Sequence, residues 1–289
     1  MAGVPELRLD RGPADGATLH YVVAGDGPSI VLVHGLGGFA ESWRTTIAAL
    51  ARRARVLALD LPGFGQSSKP PARYELGFFA GAVAAFLDRL GLASASLVGH
   101  SLGGAVALAL ALEAPRRVER LALLAPVVPG IYRPSLAYRL GACPGLGDLL
   151  ALVRCAPLYR AAIARCFHRP MPAEVDFLVG HAYAARTSRA ARLAFLATLR
   201  HLRADLVEAA ARYRVALTAL EAPTLLIHGL QDRVVPAADT RRAAGLLRRA
   251  TVRWLEGCGH FPQLEHAATV NGWLEEFLVG RPAPREQGS

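Results

Sequence analysis

Four short apolar runs, each ending in a turn, most constrain how this chain can fold. They are SIVLVHG (29–35), RVLALDLPG (55–63), ASLVGHS (95–101) and VERLALLAP (118–126). Each is rich in valine, isoleucine or leucine and too short for a helix. Between them lie stretches with helical spacing: ESWRTTIAALARR (41–53), LGFFAGAVAAFLDRLGL (76–92) and LGGAVALALALEAP (102–115). Continuous apolar strands alternating with helices predict a parallel sheet covered on both faces. The earlier ELRLDR and TLHYVVAG are more amphipathic and predict an antiparallel edge.

The alternation stops after Pro126. It resumes with strands PTLLIHG (223–229) and TVRWLEG (251–257), and with helices over 237–248 and 265–279. A crossover helix with its loops needs roughly 20–30 residues, and this gap is several times longer. It is rich in Ala, Leu and Arg and is broken at Pro134, Pro144, Pro157, Pro170 and Pro172. The pattern predicts several inserted helices, including 174–186 and 189–212. The organisation expected is a core over 1–127 and 219–289 carrying a helical cap over 128–218.

A chain of 289 residues with 53% hydrophobic content suits one large α/β domain with an insertion. The formal charge of +10 raises nucleic acid, a membrane surface or an acidic substrate as partners. Nearly all of that charge is arginine, with Lys69 the one lysine, scattered along helical segments without interleaved aromatic platforms. Nucleic-acid binding is therefore not expected, and the sequence has no signature of an oligomeric state. The opening MAGVPELRLDRGPADG lacks the apolar core of a signal peptide, and no later stretch offers roughly 18 uninterrupted apolar residues. The expectation is a soluble, cytoplasmic chain without an integral membrane segment, its tail GRPAPREQGS a frayed end. Cysteines 143, 155, 166 and 258 show no zinc or C-x-x-C spacing and no metal site is expected. They read as small buried hydrophobes, with a Cys143–Cys155 bridge the weaker alternative.

The chemistry concentrates in GHSLG (99–103), which fits G-x-S-x-G with a strand before it and a helix after it. A sharp strand-to-helix turn lifts the central side chain clear of the sheet and demands small residues where the backbones crowd. Gly99 and Gly103 meet that demand. A serine before a helix is more often only its N-cap, but a cap does not require the two glycines. A serine nucleophile needs a base and an acid. Asp232, in LLIHGLQDRVVP, and His260, in WLEGCGHFPQLEH, each follow their own strand, in the order Ser…Asp…His. His100 adjoins Ser101 and should point away at so tight a turn. His228 suits support of the acid loop, and Asp60 suits fixing a turn. Oxyanion donors are expected from the backbone N–H of Leu102, directly after the nucleophile, and of Leu36 in HGLGG (34–38). The glycine loop also meets a loose dinucleotide fingerprint, Gly35-x-Gly37-x-x-Ala40 with Asp60 after the next strand. An NAD-linked oxidoreductase is thus a rival of another class, though it leaves Ser101, Asp232 and His260 unexplained.

Five segments together, VLVHGLGG, VLALDLPGFGQSSKP, LVGHSLGGAVAL, LLIHGLQDRVVP and GCGHFPQLEHA, resemble the α/β-hydrolase superfamily, in its capped esterase, lipase and C–C hydrolase branch. The resemblance spans about residues 17–279. It implies an eight-stranded, mostly parallel sheet with a helical cap after the sixth strand. It also implies Ser101 as nucleophile, Asp232 as acid, His260 as base and the Leu36 and Leu102 amides as oxyanion donors, without a cofactor. Dehalogenases and epoxide hydrolases of the superfamily use an aspartate where Ser101 stands. C–C hydrolases often carry a serine–glycine–proline glycine loop, which HGLGG is not, so the resemblance favours a small-molecule ester as substrate, and the apolar cap, with Leu, Phe and Tyr among its arginines, points to a hydrophobic acyl or alkyl group. Lactone, C–C or thioester hydrolysis, acyl transfer, or a non-catalytic receptor role are the alternatives.

Overall fold

The computed structural model describes residues 5–152, 155–186 and 188–280. The segment read as a frayed tail lies outside them, Gly280 apart. Eight strands form one sheet: β1 Glu6–Arg8, β2 Thr18–Ala24, β3 Ser29–Val33, β4 Arg55–Leu59, β5 Ala95–His100, β6 Val118–Leu124, β7 Thr224–Gly229 and β8 Ala250–Leu255. Their order is β1-β2-β4-β3-β5-β6-β7-β8. The β1–β2 and β2–β4 pairs are antiparallel, as the amphipathic amino-terminal strands suggested, and all later pairs are parallel.

The buried strands feed two cores, one on each face of the sheet, because successive side chains point to opposite faces. Val31 and Val33 of β3 join Leu57 and Leu59 of β4 on one face. Ile30 and Leu32 join Val56 and Ala58 on the other. The first face is covered by α2 (Leu76–Arg89), α3 (Leu102–Glu113) and α10 (Ala237–Leu246), the second by α1 (Arg44–Leu50) and α12 (Ala267–Val279). Phe79 and Phe86 anchor the first core, Trp43 and Leu274 the second, all fully buried.

Among the described residues, the chain between β6 and β7 contains six helices: α4 Leu136–Ala142, α5 Leu146–Leu152, α6 Ala156–Ala164, α7 Pro172–Arg186, α8 Arg189–Arg203 and α9 Ala210–Thr218. The single helix expected over 189–212 is instead divided. Residues Ala204–Glu208 form a π-turn, in which the Ala209 amide reaches the Ala204 carbonyl at 2.8 Å. The inserted residue turns the Asp205 carboxylate onto the Leu76 amide, 2.8 Å away, at the start of α2. Leu206 is left buried at a cavity that Ser101 and His260 also line. Helical periodicity carries no mark of such an insertion.

The cysteine expectation holds at one position. Cys258 is buried, whereas Cys143 and Cys155 are exposed and unpaired and Cys166 is half-buried. Cys143 and Cys155 flank α5, a helix whose side chains are not taken into either core. No helix among the described residues is long and apolar enough to cross a membrane.

Candidate active site

In open parallel sheets, reacting groups collect beyond the carboxyl ends of the strands, where the strand order reverses. Here the reversal lies between β3 and β5. The chain turns aside from β3 to build β4 and returns on the other side of β3 as β5. The glycine loop follows β3 and Ser101 follows β5, so the two flank the reversal. Asp232 follows β7, and His260 follows β8, at the same edge.

Ser101 occupies a strained backbone position, with φ 53° and ψ −116°. Such a conformation costs about 1–3 kcal/mol in a non-glycine residue. It persists because the surroundings leave no room for relaxation. A Cβ on Gly99 would stand 2.4 Å from the Gly103 carbonyl oxygen, and one on Gly103 would stand 2.1 Å from that of Val33. The Ser101 amide donates to the Leu124 carbonyl at 3.0 Å, and its own carbonyl accepts from Val127 at 3.0 Å. The Ser101 hydroxyl makes no capping bond to the helix it begins. It faces His260 instead, with Oγ 3.0 Å from Nε2. The simple N-cap reading of this serine is thereby removed.

On its far side the His260 ring donates from Nδ1 to Asp232 Oδ2 at 2.8 Å. A carboxylate can only accept, so the proton sits on Nδ1 and the Nε2 lone pair faces the serine. Asp232 accepts three further bonds. Oδ1 takes the amides of Val234 and Val235 at 2.7 and 3.0 Å, and Oδ2 lies 3.2 Å from His228 Nε2. Burial resists its ionisation, but the neighbouring His260 and His228 outweigh that and hold the carboxyl well below the usual carboxylate range. His228 is itself pinned by Thr240 Oγ1 at 2.7 Å and the Val235 carbonyl at 3.0 Å, which matches its expected support of the acid loop.

The other polar neighbours have structural tasks. His100 points away from Ser101 and donates from Nε2 to the His260 carbonyl at 2.7 Å. Burial, aided by the nearby His260, pushes its pKa down to about 3. Asp60 is fully buried and fixes the turn ahead of it, accepting from the amides of Ala40 at 2.6 Å and Gln66 at 2.7 Å and from His20 Nδ1 at 2.7 Å. With its oxygens so committed, Asp60 is not free to bind a ribose hydroxyl, which removes the dinucleotide reading of the glycine loop. His20 and Asp60 are joined by the Nδ1 bond, and Glu41 Oε1 accepts from Gln66 Nε2 at 3.2 Å, which draws the three together into a cluster close enough to suggest a cation site.

Glu265 escaped the sequence reading. Its Oε1 accepts from the amides of Gly259 at 2.9 Å and Phe261 at 3.2 Å, and its Oε2 from His168 at 2.8 Å. The His260 amide in turn donates to the Cys166 carbonyl at 2.8 Å. The histidine loop is thus clamped to the helical segment between β6 and β7. The sequence signal was present only as an acid closing the one-turn helix α11 (Pro262–Glu265).

Ser101, His260 and the residues Leu36 and Leu102 line a cavity of about 220 Å³. Its walls are largely apolar, with Phe39, Leu178, Leu202 and Val235 among them, and no arginine or lysine lines it among the described residues. The buried Gln263 Oε1 and Tyr138 hydroxyl at this cavity have no hydrogen-bond partner among the described residues. Leu102 opens α3, so its N–H is among the first amides of that helix, which find no carbonyl within it. A second cavity of about 510 Å³ meets the first along Gly37, Gly38 and Phe39.

Comparison with known proteins agrees with this geometry. A family profile described as the α/β hydrolase fold matches residues 28–145. The 2-hydroxymuconate semialdehyde hydrolase of Pseudomonas sp. (strain CF600) is 32% identical over 278 residues, 89% of this chain and 88% of the relative. Among solved structures, the meta-cleavage product hydrolase of Pseudomonas fluorescens IP01 superposes with a TM-score of 0.82 at 26% identity, covering 95% of this chain and 97% of that one. A membrane phospholipase A, described as a bacterial virulence factor, superposes with a TM-score of 0.76 at 30% identity, covering 96% and 85%. With its elbow, sheet order and relatives in agreement, the chain belongs to the α/β-hydrolase superfamily and is a hydrolase of the branch that includes the meta-cleavage product hydrolases.

Proposed function

We propose that this hydrolase cleaves a carboxylic ester bearing a hydrophobic acyl or alkyl group, through an acyl-enzyme on Ser101. The observation that carries the reading is the unbroken chain Ser101–His260–Asp232, with links of 3.0 and 2.8 Å, opening into a cavity whose described lining is largely apolar. Ser101 Oγ attacks the ester carbonyl while His260 Nε2 takes its proton. Asp232 holds the imidazole in the required tautomer and stabilises the imidazolium. The amides of Leu36 and Leu102 receive the oxyanion. Collapse breaks the C–O bond, and His260 returns its proton to the departing alcohol. A water, deprotonated by His260, then attacks the acyl-enzyme and releases the carboxylic acid with Ser101 restored. Residues 128–218 act as the cap that shapes the substrate cavity. The two cavities meeting at the glycine loop suit the two arms of an ester.

C–C hydrolysis is the second reading, favoured by the similarity to meta-cleavage enzymes. A muconate-type substrate carries a carboxylate, for which an arginine or lysine at the cavity is the natural partner. The apolar lining speaks for the ester. The test is p-nitrophenyl esters of increasing chain length beside a 2-hydroxy-6-oxo-dienoate, each with wild type and Ser101→Ala. Turnover of medium-chain esters, abolished in the variant, is expected. Bleaching of the dienoate with esters untouched refutes the ester assignment, and fluorophosphonate labelling that survives Ser101→Ala refutes the nucleophile. One covalent modification without turnover would indicate a receptor.

A further inference from the structure

Three helices, α4 to α6, reverse the pattern that the rest of the chain obeys. Among the described residues, α4 and α6 hold no fully buried residue, although Tyr138, Tyr159 and Ile163 line the Ser101 cavity, and α5 buries only Gly147. Their leucines face outward: Leu136 is 67% exposed, Leu149 64%, Leu152 60% and Leu158 61%. On α5, Leu146, Leu149 and Leu150 recur at the spacing of one helical face, and all three are exposed. Elsewhere such a stripe lies against a core.

The segment that carries these helices is also cationic. Residues 133–169 contain six arginines against one aspartate. An open groove of about 770 Å³ beside α4 is lined by Leu136, Leu140, Arg133, Arg139 and Arg200. Arg200 is paired with Asp148 at 2.7 Å, but no salt bridge among the described residues involves Arg133 or Arg139. Tyr138 lines both this groove and the cavity of Ser101, so the two share a wall.

We propose that the α4–α5 face docks on an anionic lipid bilayer, its leucines entering the headgroup–acyl boundary and its arginines meeting lipid phosphates. Exposed leucines beside unpaired arginines match a surface that is apolar beneath and anionic above. A second copy of this chain fits less well, because a two-fold contact sets the same arginines against one another. Docking brings the Tyr138 side of the catalytic cavity toward the bilayer. It stands apart from the chemistry at Ser101.

The test is co-sedimentation of the full chain with phosphatidylcholine vesicles and with vesicles containing about one-third phosphatidylglycerol. The partition coefficient should be at least ~10-fold higher on the anionic vesicles and fall several-fold when salt rises from 0.1 to 0.5 M. Leu149→Asp with Leu152→Asp should lower it ~10-fold or more. Independently, Arg133→Glu with Arg139→Glu should abolish the preference for anionic lipid, with the melting temperature unchanged in each case because all four side chains are outside the two cores. Equal, weak partitioning on both vesicles overturns the proposal, as does wild-type affinity in both double variants. A concentration-dependent dimer that the leucine variant dissociates, without vesicle binding by wild type, assigns the face to a second copy and also overturns it. No readout depends on turnover, so failure here is distinct from failure of the ester assignment.

Discussion

Replacing His100 with glutamine separates the packing of the elbow from its titration. The imidazole is buried, it donates to the His260 carbonyl at 2.7 Å, and its pKa is pushed down to about 3, first by burial and then by His260. An unfolded histidine titrates near 6.5. The folded value lies below the unfolded one, so the unfolded chain takes up the proton first as pH falls. The stability linked to His100 is complete above about pH 6.5 and is lost progressively toward pH 3. At pH 5.0 the folded ring is still neutral while nearly all unfolded rings are charged. The gap of about 1.5 between pH 5.0 and the unfolded pKa, at about 1.36 kcal/mol each, gives a loss of about 2 kcal/mol relative to pH 7.5. Glutamine keeps an N–H donor for the His260 carbonyl but does not titrate. Urea unfolding of wild type and His100→Gln at pH 7.5 and 5.0 isolates the residue, since the other histidines titrate in both proteins. Wild type should lose about 2 kcal/mol more than the variant between the two pH values. Equal losses would refute the claim that His100 is held neutral by the fold.

Other perturbations probe the same edge of the sheet. Asp232→Asn should retain the fold but cut ester turnover by roughly 10³–10⁴-fold, because an amide cannot hold the tautomer that leaves Nε2 free; kcat on a p-nitrophenyl ester reads it. The same variant should flatten the acid limb of stability below about pH 4, since the lowered Asp232 pKa gives stabilisation that is present above the unfolded value and lost as pH falls. Gly103→Ala places a methyl group 2.1 Å from the Val33 carbonyl oxygen and should cost about 3 kcal/mol or more, seen as a lowered Tm. Glu265→Ala strips three amides of their acceptor and should lower kcat while Ser101 remains in place, a KM unchanged within about twofold separating loop disorder from lost binding. A thiol reagent should modify Cys143 and Cys155 rapidly in the native chain and reach Cys258, whose pKa burial pushes up, only on unfolding.

The parallel sheet was legible because strands buried on both faces must be apolar throughout, and SIVLV or ASLVGH can be little else. The antiparallel edge was legible for the opposite reason, half-exposed strands that alternate. Ser101 could be singled out because crowding at the elbow forces glycine at 99 and 103, and Asp232 and His260 because each follows a strand. Helix ends were less legible. The periodicity that predicts a helix over 189–212 does not reveal the π-turn at Ala204–Glu208, which presents Asp205 to the amide of Leu76, distant in the chain.

The amino-acid sequence by itself determined the layered α/β architecture, the identity of the strand-end residues and their order, since backbone crowding and burial act through nearest neighbours and leave local marks. The motif order already assigned His260 to Ser101 and His228 to the acid loop, and the tertiary structure supplied the distances. His100, His228 and His260 have similar strand-end contexts, and just one has Nε2 within reach of Ser101 while Nδ1 meets Asp232. The tertiary structure decided that Glu265 clamps the histidine loop, that no arginine or lysine among the described residues lines the Ser101 cavity, and that the leucines of α4 to α6 face outward. Those properties depend on distances between residues far apart in the chain, and a pattern along one chain does not encode distances of that kind.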